Sequence, residues 1–289
     1  MSRAKAFLNE LYEDDVNSLS EIFHENTKLR RHQLREMAMR IMRISRDPVV
    51  LRAMTQSYKS YPSLDRISLP QDPRKEGVDL EDAILKRRSV RTFDKSRPLR
   101  VGQIAKLLRF SAGITSQKHV GGNIMQSLRA APSGGGLYPI EIYPCLINVE
   151  DAATGVYHYN VREHSLELVK PAGWDPDSTI LPFSINTPLD NPAALFVLTA
   201  IFKRTTFKYS HRGYRLVMIE AGHIVQNIWL MASAMGLGCC GLFSFVDDEV
   251  NELLGLDGVN EAVIYVVSVG NRLTAPAVAA PAEGASQND

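Results

Sequence analysis

The chain has 289 residues, 45% of them hydrophobic, so it can bury a full core as one large domain or as one domain with an appendage. Its net charge of +1 gives no global field for nucleic acid or for a membrane surface, and no apolar run reaches the roughly 18 residues of a membrane span. Three cysteines without disulfide-like or metal-like spacing, and a charged start without an apolar targeting segment, predict a cytoplasmic protein that binds no metal.

The N-terminal part of the chain has the pattern of helices. Between residues 16 and 60, apolar side chains recur at three- and four-residue spacing, at Leu34, Met37, Ile41 and Ile44. The other face is basic, which fits either a solvated surface or an acidic partner. We expect an N-terminal helical region over 1–61, joined by a proline-containing linker over 62–78 to the main domain.

The main domain is expected over 79–272 and mixes helix and strand patterns. Helical periodicity covers 81–86, 101–111 and 214–235, and Gly236 follows the last of these as a C-terminal cap. Residues 113–128 are glycine-rich and polar, so we expect a loop there. Strand patterns cover 140–149, 155–159, 165–169, 193–202 and 262–269. This irregular order is typical of an α+β fold. The tail, 273–289, is rich in Ala, Pro, Gly and Ser, and we expect it to be disordered.

Two short stretches carry the most chemical information. Arg87, Arg88, Ser89 and Arg91 place three guanidinium groups and a hydroxyl within five positions, which suits a phosphate monoester. After Pro132 and Ser133, three consecutive glycines lack the side chains that would keep a ring away from the backbone, whose N–H groups stay free to donate. The alternatives are a basic helix end that caps its own carbonyl groups, and an ordinary glycine turn.

One phosphate and one large planar ring describe FMN. The glycine motifs of Rossmann and P-loop nucleotide sites do not occur in the sequence. The arginine cluster and the glycine run together therefore predict FMN as the cofactor.

The same stretches carry a family resemblance. With Lys208-Tyr209, Arg212 and the run 220–227, they resemble the nitroreductase superfamily, and within it the SagB-type or McbC-like dehydrogenases. The resemblance covers roughly residues 79 to 272, and residues 23–28 are similar to the same subgroup. It implies a nitroreductase-like fold, in which helices wrap a central mixed β-sheet, and an intertwined homodimer with flavin at the subunit interface.

The resemblance also assigns residues to the cofactor. The arginine block matches the segment at the FMN phosphate and ribityl chain, and Arg272 matches a further phosphate contact. The remaining cofactor positions that it implies are Pro132, Ser133, Gly134 and Gly135 along the flavin ring, Gln226 and Asn227 beside the cofactor, and Gly241, Leu242, Phe243 and Ser244, whose backbone faces the ring. His223, on the same helix, has either a structural role or a role behind the cofactor. Cys239 and Cys240 are interpreted as packing residues.

Lys208 and Tyr209 are the predicted catalytic residues. SagB-type dehydrogenases carry a similar Lys-Tyr pair, which is implicated in azoline oxidation. An ordinary lysine or tyrosine, with a pKa near 10, is a poor base at pH 7 unless burial or neighbouring cations lower that pKa. Nearby cations, such as Arg204 and Arg212, could do so. The alternative is an exposed, charged helix start.

The resemblance implies an FMN-dependent dehydrogenase that oxidises peptide thiazolines or oxazolines to thiazoles or oxazoles while a ribosomally made peptide matures. Its expected partners are a second copy of the chain, the azoline peptide and a cyclodehydratase complex. Three alternatives stay open: a nitroreductase or quinone reductase that uses NAD(P)H, an oxidase that tailors carrier-bound heterocycles, and a flavin-binding scaffold subunit without activity.

Overall fold

The computed structural model of the protein describes residues 18–56, 58–71, 76–171 and 188–273. Some of the segments for which we stated expectations lie outside these residues, namely 1–17, 72–75 of the linker and 274–289 of the tail. In the described residues, the α-helices are α1 (Leu19–Asn26), α2 (Leu34–Arg46), α3 (Pro48–Thr55), α4 (Leu80–Lys86), α5 (Val101–Ala112), α6 (Lys203–Tyr209), α7 (Arg212–Ala234) and α8 (Asp247–Leu254).

The β-strands form one large sheet and two small ones. In chain order they are β1 (Arg66–Ser68), β2 (Leu99–Arg100), β3 (Ile114–Gly121), β4 (Ile124–Arg129), β5 (Ile140–Leu146), β6 (Val149–Glu150), β7 (Gly155–Asn160), β8 (Ser165–Lys170), β9 (Ala194–Ile201), β10 (Leu237–Leu242) and β11 (Glu261–Asn271). The large sheet has seven strands, in the order β1-β8-β7-β5-β9-β11-β10. Strands β5 and β9 lie inside it, and their nearly continuous apolar sequences are buried on both faces.

Helices cover both faces of this sheet. On one face, α5 and α7 pack their apolar sides on a core that includes Phe196 and Leu198. On the other face, Val250 and Leu254 of α8 pack in a second core around Tyr143. The predicted fold class, α+β with a central sheet wrapped by helices, is confirmed. The named strand pairs of the described sheet are antiparallel, and a parallel bridge joins Ser89 to Cys239 at its β10 edge.

Helix α7 runs for 23 residues and positions much of the candidate site. Its buried residues follow helical spacing, and Gly236, with φ +70°, ends it two residues later, as the sequence predicts. The expected loop over 113–128 is wrong, because β3 and β4 form a hairpin there. Strand β3 is largely exposed and polar, and most of β4 is half-buried, so neither strand has the clear apolar alternation that would predict it from the sequence.

The N-terminal region is a set of short helices. Asp47 accepts hydrogen bonds from the N–H groups of Val49 and Val50, and Pro48 occupies the first position of α3, so α2 ends and a new helix begins. Strand β1 lies within the segment that we expected to be a linker. It pairs with β8, so this part of the chain belongs to the large sheet.

Candidate active site

Lys208 and Tyr209 lie directly above the glycine run. A Cβ atom at Gly135 would be 2.5 Å from the Tyr209 phenol oxygen and 3.0 Å from Lys208 Nζ. Gly135 has φ +71°, a conformation that side chains other than glycine rarely adopt. The structure thus brings together the predicted catalytic pair and the predicted ring-binding run, which are more than seventy positions apart in the sequence.

Burial changes the proton affinities of the pair in opposite directions. Lys208 is only 8% exposed, which rules out the alternative of an exposed helix start, and burial lowers its pKa. Burial raises the pKa of the Tyr209 phenol. Lys208 can therefore lose its proton more easily than an ordinary lysine, whereas Tyr209 keeps its proton and can donate a hydrogen bond.

The cations that we expected around Lys208 have other partners. Arg204 donates a hydrogen bond to the Tyr138 carbonyl, at 3.2 Å, and forms an ion pair with the buried Glu141. Arg212 donates to the Thr27 carbonyl at 3.3 Å. Of the two causes that could lower the pKa of Lys208, burial of the amine is therefore the one that acts, and the neighbouring cations are not the cause.

The glycine run is held at both ends. The Tyr138 N–H donates to Ser133 Oγ at 2.9 Å, and the Gln126 side-chain amide donates to the Gly136 carbonyl at 2.7 Å. Gly134 lies against the side chain of Leu216 on α7. Pro132 and Gly135 stay exposed at the surface of one chain, so the run is fixed in shape yet open to a ligand.

Glu220 was not predicted as a site residue, although it belongs to this site. It is 3% exposed on the buried side of α7, and its carboxyl hydrogen-bonds to Ser133. Burial raises its pKa to about 7, against the opposing effects of Ser133 and the charge of Arg129. An isolated glutamate among apolar helix residues was the signal in the sequence.

The arginine block lies at the β10 edge of the sheet. Ser89 bridges to Cys239, and Phe93 bridges to Arg272, so Arg272 lies beside this segment as predicted. The Arg87 guanidinium stacks 4.7 Å from the Trp229 ring. Ser89 and Arg91 are exposed, and Arg272 Nε donates to the Leu237 carbonyl at 2.9 Å.

Arg88 caps carbonyl groups at the end of its own helix, which is the alternative to phosphate binding that the sequence left open. It is exposed, and its Nη1 donates to the carbonyl groups of Leu85 and Arg87, at 2.9 and 2.7 Å, where α4 ends. The phosphate role that we expected for Arg88 stays a prediction, and binding a phosphate through this nitrogen requires those hydrogen bonds to be exchanged.

The remaining predicted cofactor residues lie along α7 and at the end of β10. Gln226 is exposed on α7, as is His223, and Asn227 is half-buried. At the end of β10, Leu242 points into the core, so only its backbone is available to a ligand. Phe243 is 71% exposed and contacts Tyr265, with ring centres 4.4 Å apart. Gly241 and Ser244 flank these two residues and are half-buried.

Within one chain, the two parts of the predicted FMN site lie against opposite halves of α7. Gly134 contacts Leu216, and Arg87 contacts Trp229, thirteen residues later. At about 1.5 Å per residue, these helix positions are about 20 Å apart. The exposed side of α7 between them carries Ile219, which is 55% exposed.

The comparison with protein families decides the family to which the chain belongs. The nitroreductase family model matches residues 84–271. The chain belongs to the nitroreductase family. Members of this family are oxidoreductases, and the matched region contains Arg87, the glycine run and the Lys208-Tyr209 pair.

Similarity to individual proteins confirms the McbC-like affiliation. The Methanocaldococcus jannaschii protein MJ1384, whose name also refers to nitroreductases, is 31% identical over 203 residues, which are 70% of this chain and 96% of that protein. The Escherichia coli Microcin B17-processing protein McbC is 34% identical over 147 residues, 50% of this chain and 54% of that protein. A chain of the E. coli microcin synthetase McbBCD complex with truncated pro-MccB17 bound is 26% identical, with a TM-score of 0.55 over 89% of this chain and 92% of that chain.

The described residues contain no disulfide, metal-ligand cluster or membrane-spanning helix. Cys145, Cys239 and Cys240 are buried and free, as expected of packing residues. No group of three or more His, Cys, Asp or Glu side chains in this part of the chain could hold a metal ion. None of the described helices combines the length and the apolar character needed to cross a membrane.

Proposed function

We propose that this nitroreductase-family protein is an FMN-dependent dehydrogenase that oxidises azoline rings of a ribosomally made peptide to azoles. The observation that carries the proposal is the position of the buried Lys208 amine above Gly135. Similarity to the Microcin B17-processing protein McbC, and to a chain of a complex that holds truncated pro-MccB17, supports a peptide substrate.

The residues fit a flavin in two ways. Gly135 has a φ of 71° and is exposed, so it presents backbone without a side chain to a planar ring. The segment from Arg87 to Arg91, with Arg272 beside it, supplies guanidinium groups for a phosphate. Because these two parts lie about 20 Å apart along α7, we propose that FMN binds between two copies, one of which supplies the arginine block and the other the glycine run.

The proposed reaction assigns separate roles to the pair. Aromatising an azoline removes a proton from one ring carbon and a hydride from another, and FMN, when bound, supplies the hydride acceptor. The neutral Lys208 amine accepts the proton, and burial favours this neutral form. The protonated Tyr209 phenol donates a hydrogen bond that orients the ring nitrogen or the peptide carbonyl beside it. A cyclodehydratase must act first, because it makes the azoline.

The deciding experiment compares Lys208→Ala with Lys203→Ala. Lys203 is exposed and lies on the same short helix, so its substitution controls for the loss of one positive charge. Each protein is loaded with FMN and mixed with an azoline peptide, and mass spectrometry measures the loss of two hydrogen atoms. We expect Lys208→Ala to retain flavin and to lose about 10²- to 10⁴-fold in rate, as is typical when a general base is removed. Lys203→Ala should match the parent.

Three outcomes would contradict the proposal. Undiminished azole formation by Lys208→Ala would remove the mechanism. Bleaching of the flavin by NADPH, with no reaction of the azoline peptide, would favour a nitroreductase or quinone reductase. A protein that binds no flavin after FMN is supplied would remove the cofactor assignment.

A further inference from the structure

A cavity next to the catalytic pair is built largely by the N-terminal region. Its volume is about 190 Å³, and it lies between residues 26–29 and one face of α2 on one side and residues 208–212 on the other. Lys208 and Tyr209 are therefore part of its wall. A ligand in this cavity touches the N-terminal region and the proposed base together.

The N-terminal wall is fixed to the start of α7 by specific contacts. Arg215 donates from Nε to Thr27 Oγ1 at 2.7 Å, and from Nη2 to the His24 carbonyl at 2.6 Å. The ring of Phe23 meets the edge of Tyr214, with ring centres 5.2 Å apart. Thr27 is only 3% exposed. The segment that resembles the subgroup is thus an integral wall of the cavity.

The side chains that α2 presents to the cavity lie on a single face. Gln33, just before the helix, and Glu36, Met37 and Arg40 within it occupy positions i, i+3, i+4 and i+7. This face offers an amide, a carboxylate, a thioether and a guanidinium group. Such a set suits a peptide, whose backbone needs hydrogen bonds and whose side chain or ring needs an apolar contact.

The charge of the cavity is mainly positive. Lys28, Arg40 and Arg212 line it, against the single carboxylate of Glu36. Lys28 is paired with Glu25, and Arg212 donates to a backbone carbonyl. Arg40 is exposed, and among the described residues it has no ion-pair partner. Its guanidinium group is therefore available to a negative charge on a ligand.

We propose that this cavity binds the part of the substrate peptide next to the azoline ring, and that Arg40 selects an acidic residue there. The proposal rests on the proposed function of the Lys208-Tyr209 pair. A volume of 190 Å³ is smaller than the roughly 300 Å³ of a small ligand pocket, so it suits a short piece of the peptide, the residue beside the ring. The rest of the peptide lies outside the cavity.

The test uses two azoline peptides that differ only in an Asp or a Lys beside the ring. An exposed ion pair contributes up to about 1 kcal/mol, which corresponds to about a fivefold difference in KM. We expect the full-length protein to have the lower KM for the Asp peptide, with similar kcat for both. The preference should weaken at high salt because ions screen the pair. Arg40→Glu should reverse it.

Arg35→Glu is the matched control. Arg35 is exposed on the opposite face of α2 and does not line the cavity, so the same change of charge should leave the preference intact. Equal KM values for the two peptides, or the same effect from Arg40→Glu and Arg35→Glu, would overturn the proposal.

A second measurement separates this proposal from the proposed function. Fluorescence anisotropy of labelled Asp and Lys peptides reports binding without any turnover. Tighter binding of the Asp peptide that is lost in Arg40→Glu supports the acidic subsite even if no azole forms. Azole formation without a charge preference in binding or KM leaves the dehydrogenase in place and removes the subsite. Displacement of the Asp peptide by a single-stranded RNA as readily as by an unlabelled Asp peptide would also overturn the assignment.

Discussion

Glu220 should make the stability of the folded chain decrease as the pH rises towards neutrality. Burial raises its pKa from the ordinary 4.5 to about 7, so the folded protein binds a proton over a range in which the unfolded chain has lost it. The stabilisation is complete below pH 4.5 and is lost as the pH rises through about 7. Because one pKa unit corresponds to about 1.4 kcal/mol, the total change is about 3 kcal/mol.

Glu220→Gln removes the titration but keeps a side chain of the same shape that can still hydrogen-bond to Ser133. Urea unfolding at intervals from pH 4.5 to 8 gives the free energy of unfolding of the parent and of the variant. We expect the variant to gain about 3 kcal/mol relative to the parent across this range, because only the parent must ionise a buried carboxyl group. At the acidic end the two proteins should be similar in stability.

Glu252→Gln, on the exposed face of α8, reports the effect of losing a carboxylate at the surface. Subtracting its curve isolates the contribution of the buried group. If the difference between Glu220→Gln and the parent were constant from pH 4.5 to 8, Glu220 would not titrate differently in the folded and unfolded chains. The description of a buried, neutral carboxyl beneath the glycine run would then be wrong.

Three further predictions concern Gly135, the ion pair between Arg204 and Glu141, and the pKa of Lys208. Gly135→Ala should reduce azoline oxidation at least tenfold in a mass-spectrometric assay, because its Cβ atom collides with the side chains of Lys208 and Tyr209. Gly77→Ala is the control. Gly77 has a φ of +69° and no atom within 4 Å of its Cβ position, so this substitution should cost only the backbone strain of about 1–2 kcal/mol. Arg204→Met should cost about 1.5–3 kcal/mol in urea unfolding, because the buried Glu141 loses its ion pair with Arg204 and keeps its hydrogen bond with His158, and Arg204→Lys should restore part of the loss. The value of kcat/KM for azoline oxidation should rise with pH as Lys208 loses its proton, and the midpoint of this rise should lie below the ordinary lysine pKa of 10.5. If kcat/KM did not change with pH, Lys208 would not be the base.

Local patterns in the sequence were enough to predict most of the fold. Helix α7 was found because its apolar residues keep helical spacing over six turns and a glycine ends it. Strand β5 was found because its sequence alternates and is bounded by turn residues, and β9 because it is an apolar run typical of a buried strand. The β3–β4 hairpin was missed because β3 is mostly exposed and β4 mostly half-buried, so neither sequence alternates clearly between apolar and polar residues.

The geometry of the candidate site depends on contacts between residues that are far apart in the sequence, and the sequence alone does not reveal such contacts. The glycine run and Lys208 were each recognised, yet their contact comes from the packing of α6 and α7 against the segment before β5. Glu220 was overlooked because its role depends on Ser133, which folding brings beside it. The role of the N-terminal region as a cavity wall depends on Arg215, whose partners lie nearly 190 positions earlier in the chain.

A single physical effect accounts for the different roles of Lys208 and Tyr209. Removal from water favours the uncharged form of any ionisable group, so it lowers the pKa of the amine and raises that of the phenol. An uncharged amine has a lone pair that can accept a proton, and an uncharged phenol keeps a hydrogen that it can donate. Burial of the two adjacent side chains above Gly135 therefore provides a base and a hydrogen-bond donor at one place, without the neighbouring cations that the sequence suggested.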